Sequence, residues 1–116
     1  MEENDNNIVI YKNDDGMTKI DVKLEDERVW LSRHQMVWHL YNMNKQNISL
    51  YIKNIFDEEE LDINSTVKEF LTVHKEGNLK VERKVKYYNL DMIISLEYRI
   101  KSKVAINFRV WATAVD

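Results

Sequence analysis

The stretch from Arg28 to Phe56, RVWLSRHQMVWHLYNMNKQNISLYIKNIF, contains no Asp or Glu, although the chain as a whole is acidic. Its apolar spacing is that of two short helices joined by a tight turn. Ser32 stands where the first helix would begin and Asn44 where the second would; both are side chains that accept a hydrogen bond from the free amides of a first turn. Asn42 falls in the turn and tolerates the left-handed backbone that an abrupt reversal needs. From about Lys45 the second helix gathers Ile48, Tyr51, Ile52 and Ile55 on one face and turns Lys45, Gln46, Asn47, Ser49, Lys53 and Asn54 away. Lys, Gln, Asn and Ser on an exposed helix face are the residue types that reach base edges and phosphates. The segment therefore predicts a helix-turn-helix.

Strands are expected on either side of it. Ile8–Tyr11 and Lys19–Leu31 read as an N-terminal hairpin around the turn Asn13-Asp14-Asp15-Gly16, with Ile20, Val22 and Leu24 alternating with Asp21, Lys23 and Glu25. A second hairpin joins Val67–Lys75 to Leu79–Tyr88 across Glu76-Gly77-Asn78. Leu79, Val81, Val85 and Tyr87 share one face of its second strand, interrupted by Arg83; the other face carries Lys80, Glu82, Lys84, Lys86 and Tyr88. Lysines of this kind either keep an edge strand soluble or make a basic wing beside the helix pair. The DEEELD run, Asp57–Asp62, is expected to end the second helix and form a solvated loop.

Asn89 is placed to cap a helix over Leu90–Lys101, with Asp91 in its first turn, and Ser102 to cap a last helix carrying Ala105, Phe108, Trp111 and Ala112. That last helix reaches Val115-Asp116 without a stop signal and reads as cut short, as in a short form or a piece of a longer protein. The expected fold class is α+β: an N-terminal β-hairpin, a helix-turn-helix, a wing-like second β-hairpin and two C-terminal helices. Residues 1–7, MEENDNN, form an acidic flexible N-terminus, and 8–116 one winged-helix-like domain.

Composition excludes several classes. With 44% hydrophobic and 32% charged residues the chain has the balance of a globular protein, and no apolar run approaches the length of a membrane span. Zero cysteines exclude disulfides and thiolate chemistry and fit a reducing cytoplasm. The only glycines, Gly16 and Gly77, lie in turns, so no Gly-rich phosphate loop exists. His34 and His39 are five apart, not the four that put two imidazoles on one helical face, and His74 has no apparent partner. Neither catalysis nor a metal or other cofactor is expected. Trp30, Trp38, Trp111, Phe56, Phe70 and Phe108 are expected to build the core. Charge is uneven: −7 over residues 1–63 and +4 over 64–116, together the net −3. A net negative charge works against non-specific DNA affinity unless the acids lie away from the binding face.

The phrases NISLYIKNIFDEEEL, VKEFL, YYNLDMIIS, YRIKSK and FRVWAT, in that order, resemble the N-terminal domain of the virulence-associated RhuM family over about residues 8–115. The resemblance implies a prokaryotic protein linked to mobile elements, a DNA-binding role and no established reaction. The last segment also resembles, more distantly, the Bro-type antirepressor domain of phages and baculoviruses. The chain departs from the family pattern in places. Counting back from Ile48 puts Trp38 where a helix-turn-helix normally carries a small residue so that its helices can approach, Asn42 stands at the usual turn glycine, and the interval from Trp30 to Leu40 is one residue longer than the family's. Glu97, Val104, Ala105 and Ile106 are more acidic or apolar than the family's pattern there.

Two functions follow as expectations. In the first, the chain is a transcriptional regulator that binds double-stranded DNA as a homodimer, with Gln46, Asn47 and Ser49 reading bases. Lys45, Lys53 and Arg33, with Asn54 alongside and Lys80, Lys84 and Lys86 of the wing, would hold phosphates. In the second, the same scaffold is a protein-interaction module, antirepressor-like, that docks a protein partner through its acidic surface. Acids beside the second helix favour the protein partner, and acids away from its binding face favour DNA.

Overall fold

The computed structural model describes residues 8–13, 16 and 19–115. The expected flexible N-terminus 1–7, and Asp14 and Asp15 of the first turn, lie outside the described residues. Five strands form one antiparallel sheet in the order β1-β2-β3-β5-β4: β1 (Ile8–Lys12), β2 (Lys19–Glu25), β3 (Arg28–Ser32), β4 (Val67–Glu76) and β5 (Leu79–Asn89). The two hairpins foreseen in sequence are thus halves of a single sheet, joined where Leu31 pairs with Tyr88. The strand expected over 19–31 is two strands. Asp26 and Glu27 make a two-residue turn with φ of 55° and 64°. Two left-handed residues suit the right-handed twist of a hairpin, but side chains with a Cβ adopt them at a cost. Glu27→Gly is expected to raise stability by about 1 kcal/mol, read as a higher urea midpoint. A lower midpoint would contradict the left-handed turn.

The inner face of the sheet carries Tyr11, Ile20, Val22, Val29, Leu31 and Tyr88, all buried. The period-two alternation of β2 places Asp21 and Lys23 on the opposite face. Helices cover the inner face: α1 (Arg33–Gln35), which continues as a π-helical stretch over Met36–Tyr41; α2 (Lys45–Asp57); α3 (Ile63–Thr66); α4 (Leu90–Arg99); and α5 (Lys103–Val115). Met36, Leu40, Ile48, Ile55, Met92, Ile93, Leu96 and Phe108 complete one core. The helix ends follow from side chains named in the sequence. Ser32 and Gln35 form a reciprocal capping box, Asn44 accepts from the Asn47 amide at 2.8 Å, and Asn89 accepts from that of Met92 at 3.2 Å. Ser102 accepts from the Ala105 amide at 3.2 Å and donates to the Leu40 carbonyl at 2.6 Å, tying α5 to the end of the first helix.

The first helix widens into a π-helical stretch over Met36–Tyr41. Widening the turn to i→i+5 bonding keeps Met36, Val37, Leu40 and Tyr41 buried and turns Trp38 out. The expectation that Trp38 sits at the helix crossing, or in the core, is therefore corrected: its relative exposure is 66%. Asn42 takes the left-handed conformation expected of it, with φ 48° and ψ 51°.

The acidic run is only partly a solvated loop. Asp57 is still helical, and Arg99 of α4 holds Glu58 and Glu60, each at 2.9 Å. The Ser95 hydroxyl and then Arg99 keep the Glu60 carboxyl below its ordinary value. A carboxyl lowered on folding contributes stability that is full above its unfolded value and is lost as pH falls through its folded one. Arg99→Gln is accordingly expected to flatten the stability profile on the acid side, leaving the slope above about pH 6 unchanged. Thermal melts across pH would check it; an unaltered acid limb would contradict the clamp.

Candidate nucleic-acid interface

β3 pairs with β5 only over Tyr87–Asn89, so the β4–β5 pairs from Glu69–Lys86 out to Glu76–Leu79 have no third strand. They project as a two-stranded ribbon closed by Gly77 and Asn78, where Gly77 supplies the positive φ of 66°. Residues directly opposite in an antiparallel pair share a face. Tyr88, Lys86, Lys84, Glu82 and Lys80 therefore lie with Val67, Glu69, Leu71, Val73 and Lys75. This face is continuous with the inner face of the sheet and looks toward the helix pair.

Between the root of the ribbon and the helix pair lies an open groove of about 500 Å³. The first helix contributes Arg33, His34, Val37 and Trp38, the start of α2 contributes Lys45, and the ribbon contributes Glu69, Lys84, Lys86 and Tyr88. Four permanent cations face one carboxylate there. Among the described residues none of the four cations takes part in an ion pair, so each retains its charge for a ligand. Arg33 donates to the Ser49 hydroxyl at 3.3 Å, which fixes the guanidinium across the two helices. Burial pushes the Tyr88 phenol above its ordinary value, opposed by the nearby guanidinium of Arg33. Converging cations without ion pairs, beside a neutral phenol, give the groove a positive field of the kind that suits an anion.

The residues anticipated for DNA separate into three sets. Arg33, Lys45, Lys84 and Lys86 come together in the groove, with Ser49 beside them under Arg33. At about 100° per residue, Gln46 and Lys53 lie on the side of α2 away from its buried face, and Asn47 and Asn54 lie on the flank opposite Lys45. Gln46 and Asn47 are exposed, Asn54 is half-buried, and Lys53 is ion-paired with Asp57 one turn on. Lys80 stands near the ribbon tip, across from Lys75. The acids Asp57–Glu60 occupy the C-terminal end of α2, about 18 Å along the axis from Lys45.

Trp38, His34 and Glu69 line the groove without having been singled out for it. The other aromatics divide between the two sides of the sheet. Phe108 lies in the core, Trp111 and Phe56 pack against the core cluster, and Trp30 meets Phe70 edge-on at 6.1 Å on the outer face. Lys23 sits over the Phe70 ring at 4.5 Å, so this outer cluster braces the root of the ribbon. The side chain of His74 lies outside what the structure describes. Among the described residues no three His, Asp or Glu side chains are grouped to hold a metal ion, and no helix is long and apolar enough to cross a membrane.

Residues 65–115 match the model of the Virulence protein RhuM family. The match takes in VKEFL, YYNLDMIIS, YRIKSK and FRVWAT; it does not extend to NISLYIKNIFDEEEL or the strands before it, so the likeness expected over 8–115 is confined to the second hairpin and the last two helices. No curated protein and no solved structure matches the chain.

Proposed function

Starting from residues 65–115 as a segment of the RhuM virulence-protein family, we propose that the chain is a winged-helix-like domain that binds double-stranded DNA. The observation that carries this reading is the convergence of Arg33, Lys45, Lys84 and Lys86 on one groove, unopposed except by Glu69. The N-terminal half of α2 enters the major groove with Gln46 and Asn47, either of which can make a bidentate contact to adenine. The groove cations take the phosphate backbone, and the β4–β5 ribbon acts as the wing. The acid run supports this arrangement by standing at the far end of α2, with two of its carboxylates held by Arg99. In the cell the domain works in the cytoplasm as a homodimeric transcription regulator associated with mobile elements, since two-fold operators are read by two-fold proteins.

The test is fluorescence anisotropy of the chain with duplex DNA across a salt series. Four phosphate contacts predict a log–log slope of about −3 to −4. Absence of saturable binding at low salt refutes the reading.

One observation favours a protein partner instead. On the side formed by α4 and α5, Tyr98 is 84% and Ile106 41% exposed, and the two line one shallow depression with Ile94. A patch of this kind is the usual mark of a protein contact. A domain that fails to bind DNA but is captured through this face would be an interaction module.

A further inference from the structure

Trp38 is the side chain that a duplex-binding account leaves unused. Indoles are mostly buried because they carry a large apolar area, yet this one is 66% exposed at the mouth of the cationic groove. Its position is imposed: the π-helical stretch keeps Val37 and Leu40 buried on either side and leaves Trp38 no route inward. The His34 ring stands 6.0 Å from it, tilted by 49°, so two aromatic faces meet at the rim. The cations of the groove come from three separate elements, the first helix, α2 and the ribbon, and surround the same space.

A paired duplex offers a protein phosphates and base edges, while its base faces are covered by stacking. An exposed indole beside a cationic channel is instead the combination that holds an unpaired base, the ring taking the base face and the cations the flanking phosphates. The groove volume of about 500 Å³ falls in the range that holds a ligand of nucleotide size. We propose that the groove takes an unpaired nucleotide of DNA, with its base stacked on Trp38 and its phosphates held by Arg33, Lys45, Lys84 and Lys86. This rests on the reading of the groove as a DNA site and specifies what that site selects. The unpaired nucleotide belongs either to a single strand or to a locally opened duplex.

Three labelled probes separate the cases: a perfect duplex, the same duplex with one extra unpaired nucleotide, and the single strand. The full chain is expected to bind one or both of the last two about tenfold more tightly than the perfect duplex. A preference shared by both identifies stacking of any unpaired base; a preference for the bulged probe alone identifies an opened duplex. Trp38→Ala is expected to erase the preference, and Trp38→Phe to retain part of it. The exposed position makes both variants compatible with folding, checked by circular dichroism. Equal affinity for all three probes, or a preference that survives Trp38→Ala, overturns the proposal while leaving duplex binding intact. Failure to bind any probe overturns both readings.

Discussion

Phe108→Ala is expected to destabilise the domain by about 3–5 kcal/mol, the cost of an aromatic cavity in a core that relaxes only partly. Phe108 is fully buried, with its ring 5.1 Å from that of Tyr11 in an edge-on contact and 5.6 Å from that of Trp111. It seats α5 on β1, two elements from opposite ends of the chain. The same junction is tied by hydrogen bonds to the Asn13 side-chain oxygen, from the Tyr11 hydroxyl at 3.1 Å and the Asn107 amide at 3.0 Å. Against a total stability of about 5–15 kcal/mol for a domain, such a loss removes a large fraction. Urea unfolding measures it directly, and the melting temperature should fall by about 10–20 °C. A loss below about 1 kcal/mol would mean that the cavity collapses or that α5 does not bear on β1 as described.

The second large effect concerns binding. Replacing both Lys84 and Lys86 by Ala is expected to flatten the salt slope by about two units and to weaken duplex binding by about tenfold per lost contact near 0.1 M salt. The loss should be uniform across DNA sequences, because phosphate contacts carry no base information. Both lysines are exposed on the ribbon with no ion pair among the described residues, so the fold should tolerate the change. An unchanged slope would remove the ribbon from the interface and leave α2 and Arg33 to carry it alone.

Which residues make the helices was legible because helix ends are local events. Ser32, Asn44, Asn89 and Ser102 cap from within three residues of the amides they satisfy. Burial on α2 was equally readable, since Ile48, Ile52 and Ile55 recur at helical spacing and are all buried. The division at Asp26-Glu27 was hidden because the turn is made of two charged residues in a conformation that usually announces itself by Gly or Asn. Trp38 was hidden for a related reason: the π-helical stretch winds more residues per turn, and apolar periodicity counted at 3.6 residues per turn misplaces it.

What this chain determines by sequence alone is therefore its elements, their caps and their apolar faces, all set by interactions within a turn or two. The groove belongs to the tertiary structure. Arg33 and Lys45 meet Lys84 and Lys86 because β3 runs directly into the first helix and pairs with the end of β5, bringing distant stretches of chain to one corner of the sheet. Strand partners are chosen by burial of a shared inner face, a property of the assembled sheet that no single segment contains.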